Sequence, residues 1–140
     1  MRNAQFQSGK RKIEMQGRLS EEFRQRIKLY AAGVIRLFVK LPKEREEVRV
    51  LGKQLLRSGT SVAAHVREAS RARSGVEFVS KLGGTSQEAD ESMLWLELLR
   101  EECRVSPALT TALEQESSEL LAIFTTMINR TEEKLKSESR

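Results

Sequence analysis

Apolar residues recur between positions 23 and 41 at alternating steps of four and three: Phe23, Ile27, Tyr30, Val34, Leu37 and Leu41. This is the stripe of an amphipathic helix. Ser20 precedes it as an N-cap, and Glu21 and Glu22 put acids in the first turn, where they complement the helix dipole. The helix should end near Lys40, just before Pro42. Val48, Leu51, Leu55, Val62, Val66 and Ala69 resume the spacing, with Ser58 or Gly59 at the missing step. They predict a second helix with Pro42 in its first turn, where the missing N–H costs nothing, and Glu44, Glu46 and Glu47 near its start. Gly59 weakens this helix by about 1 kcal/mol relative to alanine.

Ser74-Gly75-Val76-Glu77 fits the S-x-x-E capping box of a third helix. Its stripe is Phe78, Leu82, Ala89, Met93, Leu96 and Cys103, and Leu94, Trp95, Leu98 and Leu99 widen it into a nearly all-round apolar patch. Such a helix needs two neighbours or a partner chain. Gly83-Gly84 in its middle is unfavourable unless another backbone comes close. Ser106-Pro107 caps and begins a fourth helix with Leu109, Leu113, Leu120, Phe124 or Ile123, Met127 and Thr131 on its core face. The segment TEEKLKSESR loses the pattern, and the first 19 residues never acquire one. The chain thus divides into a basic flexible arm over 1–19, a helical domain over 20–135 and a frayed tail over 136–140. Four amphipathic helices with short connections bury their stripes most simply as an all-α, antiparallel up-down four-helix bundle.

Composition fits this reading: 140 residues suit one domain, and 39% hydrophobic residues with only two prolines favour ordered helices. The N-terminus lacks the apolar centre of a signal peptide, and no apolar run nears the roughly 18 residues of a membrane span, so a cytoplasmic protein without membrane contact is expected. Charge changes the picture more. Residues 1–73 hold 18 Lys/Arg against 7 acids, a net of +11, whereas residues 74–140 hold 7 against 13, a net of −6. The first half attracts polyanions; the second repels them or pairs with the first.

Few side chains suggest catalysis. Ser61, His65 and Glu68 lie at helical spacing, but a helix-borne serine has its neighbouring N–H groups already bonded and lacks an oxyanion hole. No catalytic residues are assigned. The lone Cys103 and lone His65 cannot make a Cys/His zinc site, and a di-metal carboxylate bundle needs more histidines, so no metal or other cofactor is expected. No phosphate-binding glycine loop occurs. Gly59 and Ala63, four apart, suit close helix packing. The suggestive set is basic: Arg24, Lys28, Lys53, Arg57, Arg67, Arg71 and Arg73 are candidates for phosphate contacts. Aromatic residues sit mostly in the core stripes, which argues against base stacking.

The run KQLLRSGTSVAAHVREASRARSGVEFVSKLGGTSQEADESMLWLELL, residues 53–99, resembles a bacterial four-helix-bundle family. That family is related to proteins encoded by intervening sequences in large-subunit ribosomal RNA genes and to accessory proteins of diversity-generating retroelements. Gln54, Leu55, Arg57, Ser58, Ser61, Val62, Ala64, Glu68 and Ala69 carry the first part of the likeness. Glu77, Phe78, Lys81, Leu82, Glu91, Ser92, Trp95, Leu96, Leu98 and Leu99 carry the second. The resemblance implies a homo-oligomeric ring, typically a homopentamer, with a basic surface or channel, and partners that include nucleic acid and a reverse transcriptase. It implies no catalytic residues. His65 stands where the family usually has Asn, and Leu82-Gly83-Gly84-Thr85 replaces a small-residue helical segment.

The expected function is a non-enzymatic oligomeric scaffold that binds RNA, DNA or a nucleoprotein through the basic surface. Gly59, Ala63, His65, Trp95 and Leu99 would serve oligomer or helix packing. The competing expectation is a protein-protein interaction module that recruits its partner through an apolar patch around Trp95 and Leu99, without nucleic acid.

Overall fold

The computed structural model describes residues 18–139 together with 14 and 15, and gives residues 14, 15 and 18 as backbone. Most of the arm expected over 1–19 lies outside the described residues. Its described end forms a two-residue antiparallel pair, β1 (Glu14–Met15) with β2 (Arg18–Leu19), and Leu19 is buried. Four helices follow: α1 (Glu21–Lys40), α2 (Glu46–Ser70), α3 (Gly75–Glu101) and α4 (Pro107–Glu138). They pack as an all-α bundle in which α2 meets α3 and α3 meets α4 most extensively; α1 joins mainly through α2 and touches α4 lightly.

Three helices begin where side-chain chemistry starts them. Ser20 Oγ accepts from the Phe23 N–H, Ser74 Oγ from the Glu77 N–H and Ser106 Oγ from the Ala108 N–H, each relieving an orphan donor of a first turn. The α3 capping box is altered, because the Glu77 carboxylate accepts from the Arg73 N–H at 3.3 Å. The start of α2 corrects the expectation for Pro42. That residue lies in the connection, and the helix begins four residues later after an extended Arg45. The Arg45 guanidinium reaches across to the Cys103 carbonyl at 2.5 Å, tying the α1–α2 connection to the α3–α4 connection. Helix α4 continues to Glu138, into the segment expected to fray.

The core contains the stripes read from the sequence. All six positions of the first stripe are buried, five on α1 and Leu41 just past its end, as are Val48, Leu55, Val62, Val66 and Ala69 of α2, Phe78, Leu82, Ala89, Leu96 and Cys103 of the α3 stripe, and Leu120, Phe124 and Met127 of α4. Phe23 meets Phe124 edge to face. Buried polar pairs interrupt this apolar filling: Tyr30 Oη with Ser117 Oγ at 2.7 Å, joining α1 to α4, and Ser58 Oγ with Ser92 Oγ at 2.7 Å, joining α2 to α3. A slip of one helix along another breaks the pair that joins them, although Ser92 and Ser117 also donate to the Glu88 and Leu113 carbonyls of their own helices.

The glycines divide sharply. A Cβ on Gly59 would lie 2.8 Å from both Val34 methyls, so absence of a side chain lets α1 and α2 approach there. A Cβ on Gly83 or Gly84 would meet nothing within 4 Å. Helix α3 runs unbroken through both, and no described backbone makes the close approach expected at them.

Candidate nucleic-acid interface

Helix geometry places Arg24 and Lys28 one turn apart on α1, each one residue beyond a core position, Phe23 or Ile27. Arg67 and Arg71 repeat that relation at the end of α2, after Val66 and near Ala69. Because the buried stripes of α1 and α2 face each other, these flanking positions line the rims of one groove between the helices. The groove holds ≈ 550 Å³, with Ile27, Val66, Ala63 and Ala64 among its lining residues and Arg24, Lys28, Arg67 and Arg71 as its cations.

Two carboxylates also border it, those of Glu21 and Glu68. Glu68 is engaged elsewhere: Lys81 Nζ of α3 lies 3.2 Å from it and His65 Nδ1 3.5 Å. The lysine hydrogen bond and charge, with a smaller contribution from His65, hold the Glu68 carboxyl below the usual carboxylate range. Other acids of the second half pair with cations outside the groove. Arg26 binds Glu116 through two bonds, of 2.9 and 2.6 Å, and Arg100 holds Glu114. The four groove cations are exposed, and their side chains make no ion pair among the described residues. A groove with this rim and no aromatic side chain is suited to phosphate oxygens, and offers nothing on which a base would stack.

The other basic candidates fall outside it. Arg57 is exposed beyond the groove lining, and Arg73 lies in the α2–α3 connection, where its N–H bonds Glu77. Lys53 lines a separate hollow with Phe38 and Leu41, some 21 Å along α2 from Arg67 at ~1.5 Å per residue. Pattern reading of the sequence missed the groove residues Glu21 and Gln25 and the Lys81 tether on Glu68. The i to i+4 spacing of Arg67 and Arg71 is shared by Lys53 and Arg57, so it did not single out the groove, and the opposing pair on α1 depends on how the helices dock.

Among the packing candidates, Gly59 seats Val34 and Ala63 forms part of the groove wall. His65 is half-buried and faces Glu68; no hydrogen bond joins it to Ser61 among the described residues. Trp95 packs half-buried against the core, and its indole N–H has no partner among the described residues. Leu99 is 0% exposed, on the same core row as Ser92 and Leu96, so it packs between helices and adds no surface to the apolar patch of the competing expectation. Leu94, 46% exposed, is the large apolar residue that faces outward there. Among the described residues, no cluster of three or more His, Cys, Asp or Glu is placed to hold a metal, and no helix is long and apolar enough to cross a membrane.

Comparison with known proteins adds an independent line. Residues 21–126 match the family described as 23S rRNA-intervening sequence protein. A crystal structure of a protein of unknown function from the S23 ribosomal protein family of Bacteroides thetaiotaomicron VPI-5482 is similar at 30% identity and a TM-score of 0.68; the match covers 75% of this chain and 96% of that one. No curated protein matches.

Proposed function

Because the chain belongs to the family of 23S rRNA-intervening sequence proteins, we propose that it is a non-enzymatic scaffold that binds nucleic acid through the α1–α2 groove. The observation that carries this reading is the rim of Arg24, Lys28, Arg67 and Arg71, four cations around one groove with no ion-paired acid of their own among the described residues. Neutralising phosphates there releases counterions, which supplies affinity without sequence readout. In this reading RNA and DNA are both ligands, and any specificity beyond charge comes from a protein partner such as a reverse transcriptase.

The same reading takes the bundle as antiparallel and up-down. Support comes from Glu68 bonding Lys81 while Ser58, earlier on α2, bonds Ser92, later on α3. It takes the working form as a cytoplasmic homo-oligomeric ring, a pentamer by family resemblance. The competing protein-interaction reading draws support from exposed aliphatic side chains, Leu29, Ile35 and Val39 on α1 and Leu94 on α3.

The test is affinity for a structured RNA and for duplex DNA at two salt concentrations, on protein freed of co-purified nucleic acid. Binding should weaken steeply with salt, and Arg67→Glu with Arg71→Glu should weaken it further while lowering the log–log salt slope by roughly 2. No binding at low salt would remove the nucleic-acid reading, and unchanged affinity of the double variant would remove the groove.

A further inference from the structure

The hollow lined by Lys53 is small and mostly apolar, ≈ 250 Å³ at the end of the α1–α2 pair. Phe38, Leu41 and Val48 give it hydrocarbon walls, and Lys43, Arg49 and Lys53 are its charged lining residues, with no carboxylate among them. Two of the three neighbouring acids are ion-paired within the chain. Glu46 pairs with Arg49, Glu47 with Arg45 at 2.9 Å, and Glu44 accepts from the Lys43 N–H. Lys53 makes no ion pair among the described residues, and Val39 and Val50 beside the hollow are 61% and 47% exposed.

The outer face of α3 is its complement. Leu94 projects there, with Asp90 and Glu91 one turn before it and Glu97 three residues after it. Asp90 and Glu91 are exposed and make no ion pair among the described residues. The two cations of α3 are turned aside, Lys81 to Glu68 and Arg100 to Glu114. A leucine knob flanked by carboxylates and an apolar hollow flanked by Lys43 and Lys53, with Arg49 held by Glu46, therefore coexist on different faces of one molecule.

We infer that copies of this chain associate head to tail, with Leu94 of one copy seated in the Phe38–Leu41–Val48 hollow of the next. The inference rests on the homo-oligomer reading above and specifies its contact. The hollow is large enough for a leucine side chain, whose burial removes exposed apolar area on both partners. The carboxylates then meet the cations across the contact, which fixes its orientation and disfavours hollow-to-hollow or knob-to-knob pairing by like-charge repulsion. Because knob and hollow belong to different surfaces, the contact is heterologous and repeats from copy to copy.

Sedimentation velocity on the full chain tests this contact. Wild type should sediment at several times 16.0 kDa, and Leu94→Glu, a change at an exposed site, should shift it to the 16.0 kDa monomer with its helical circular dichroism intact. Two charge reversals provide a check independent of the leucine: Lys43→Glu with Lys53→Glu, and Asp90→Lys with Glu91→Lys. Each variant alone should lose mass, and combining all four reversals in one chain should restore association, because every contact then again pairs opposite charges. A wild type that sediments as a monomer overturns the homo-oligomer reading together with this contact. A wild-type assembly unmoved by Leu94→Glu, or a fourfold reversal that does not recover association, overturns the contact alone.

Discussion

Alanine at three glycines should move stability in opposite directions, although helix propensity alone treats the sites alike. Each glycine lies within a helix, where replacement by alanine is worth about 1 kcal/mol in the helix's favour. At Gly83 and Gly84 a Cβ meets nothing within 4 Å, so most of that gain should survive. At Gly59 the new methyl would lie 2.8 Å from Val34 Cγ1 and Cγ2 and 3.2 Å from Val34 Cβ. Val34 is 0% exposed, and since both positions facing the glycine hold methyls, every staggered rotamer keeps at least one of them there. The helices must separate, and overpacking of this kind costs about 1–3 kcal/mol. Against the propensity gain, Gly59→Ala should lose up to about 2 kcal/mol net, while Gly83→Ala should gain about 1 kcal/mol. Urea unfolding at one fixed protomer concentration checks both, with midpoints moving by roughly 0.5 M per kcal/mol at a slope near 2 kcal/mol/M. An increased midpoint for Gly59→Ala, matching that of Gly83→Ala, would refute the claim that Val34 and Gly59 set the α1–α2 approach.

Two further tests concern the polar contacts between helices. Burial raises the Tyr30 phenol above its ordinary range despite its bond to Ser117. The unfolded chain therefore releases this proton first as pH climbs past 10, and stability should fall with pH there. Tyr30→Phe should flatten that alkaline loss while costing about 0.5–1.5 kcal/mol at neutral pH, as read by urea midpoints across pH. The Arg100 hydrogen bonds, larger in effect than burial, hold the Glu114 carboxyl below its ordinary range. Its contribution is present above the ordinary carboxylate range and is lost as pH falls through the depressed value, so Arg100→Gln should shrink the acid-side loss of thermal stability.

The site was less legible than the fold. Arg24, Lys28, Arg67 and Arg71 all stand out in the sequence as basic residues, yet so do Lys53, Arg57 and Arg73, and nothing in the spacing of one helix separates the two sets. Arg24 and Arg67 are 43 positions apart and share a groove only because Val34 docks on Gly59 and brings the two helices together in one register. The acids of α3 and α4 were equally ambiguous as neutralising partners. Glu116 pairs with Arg26 and Glu114 with Arg100, and it is Lys81 that draws Glu68 away from the groove cations.

Helix positions, caps and core stripes follow from interactions within a few residues, namely the 3.6-residue period and the hydrogen bonds of first turns, and those were readable from the chain itself. The charge imbalance between halves was readable too, since it requires only counting. Docking decided the rest. Leu99 became core and Leu94 surface on a helix apolar almost all round, Pro42 fell outside α2 where Arg45 bridges to Cys103, and one glycine met a neighbour while two met none. Such outcomes depend on which faces oppose one another at a distance of one side chain, information carried by the pairing of remote segments and by no single helix.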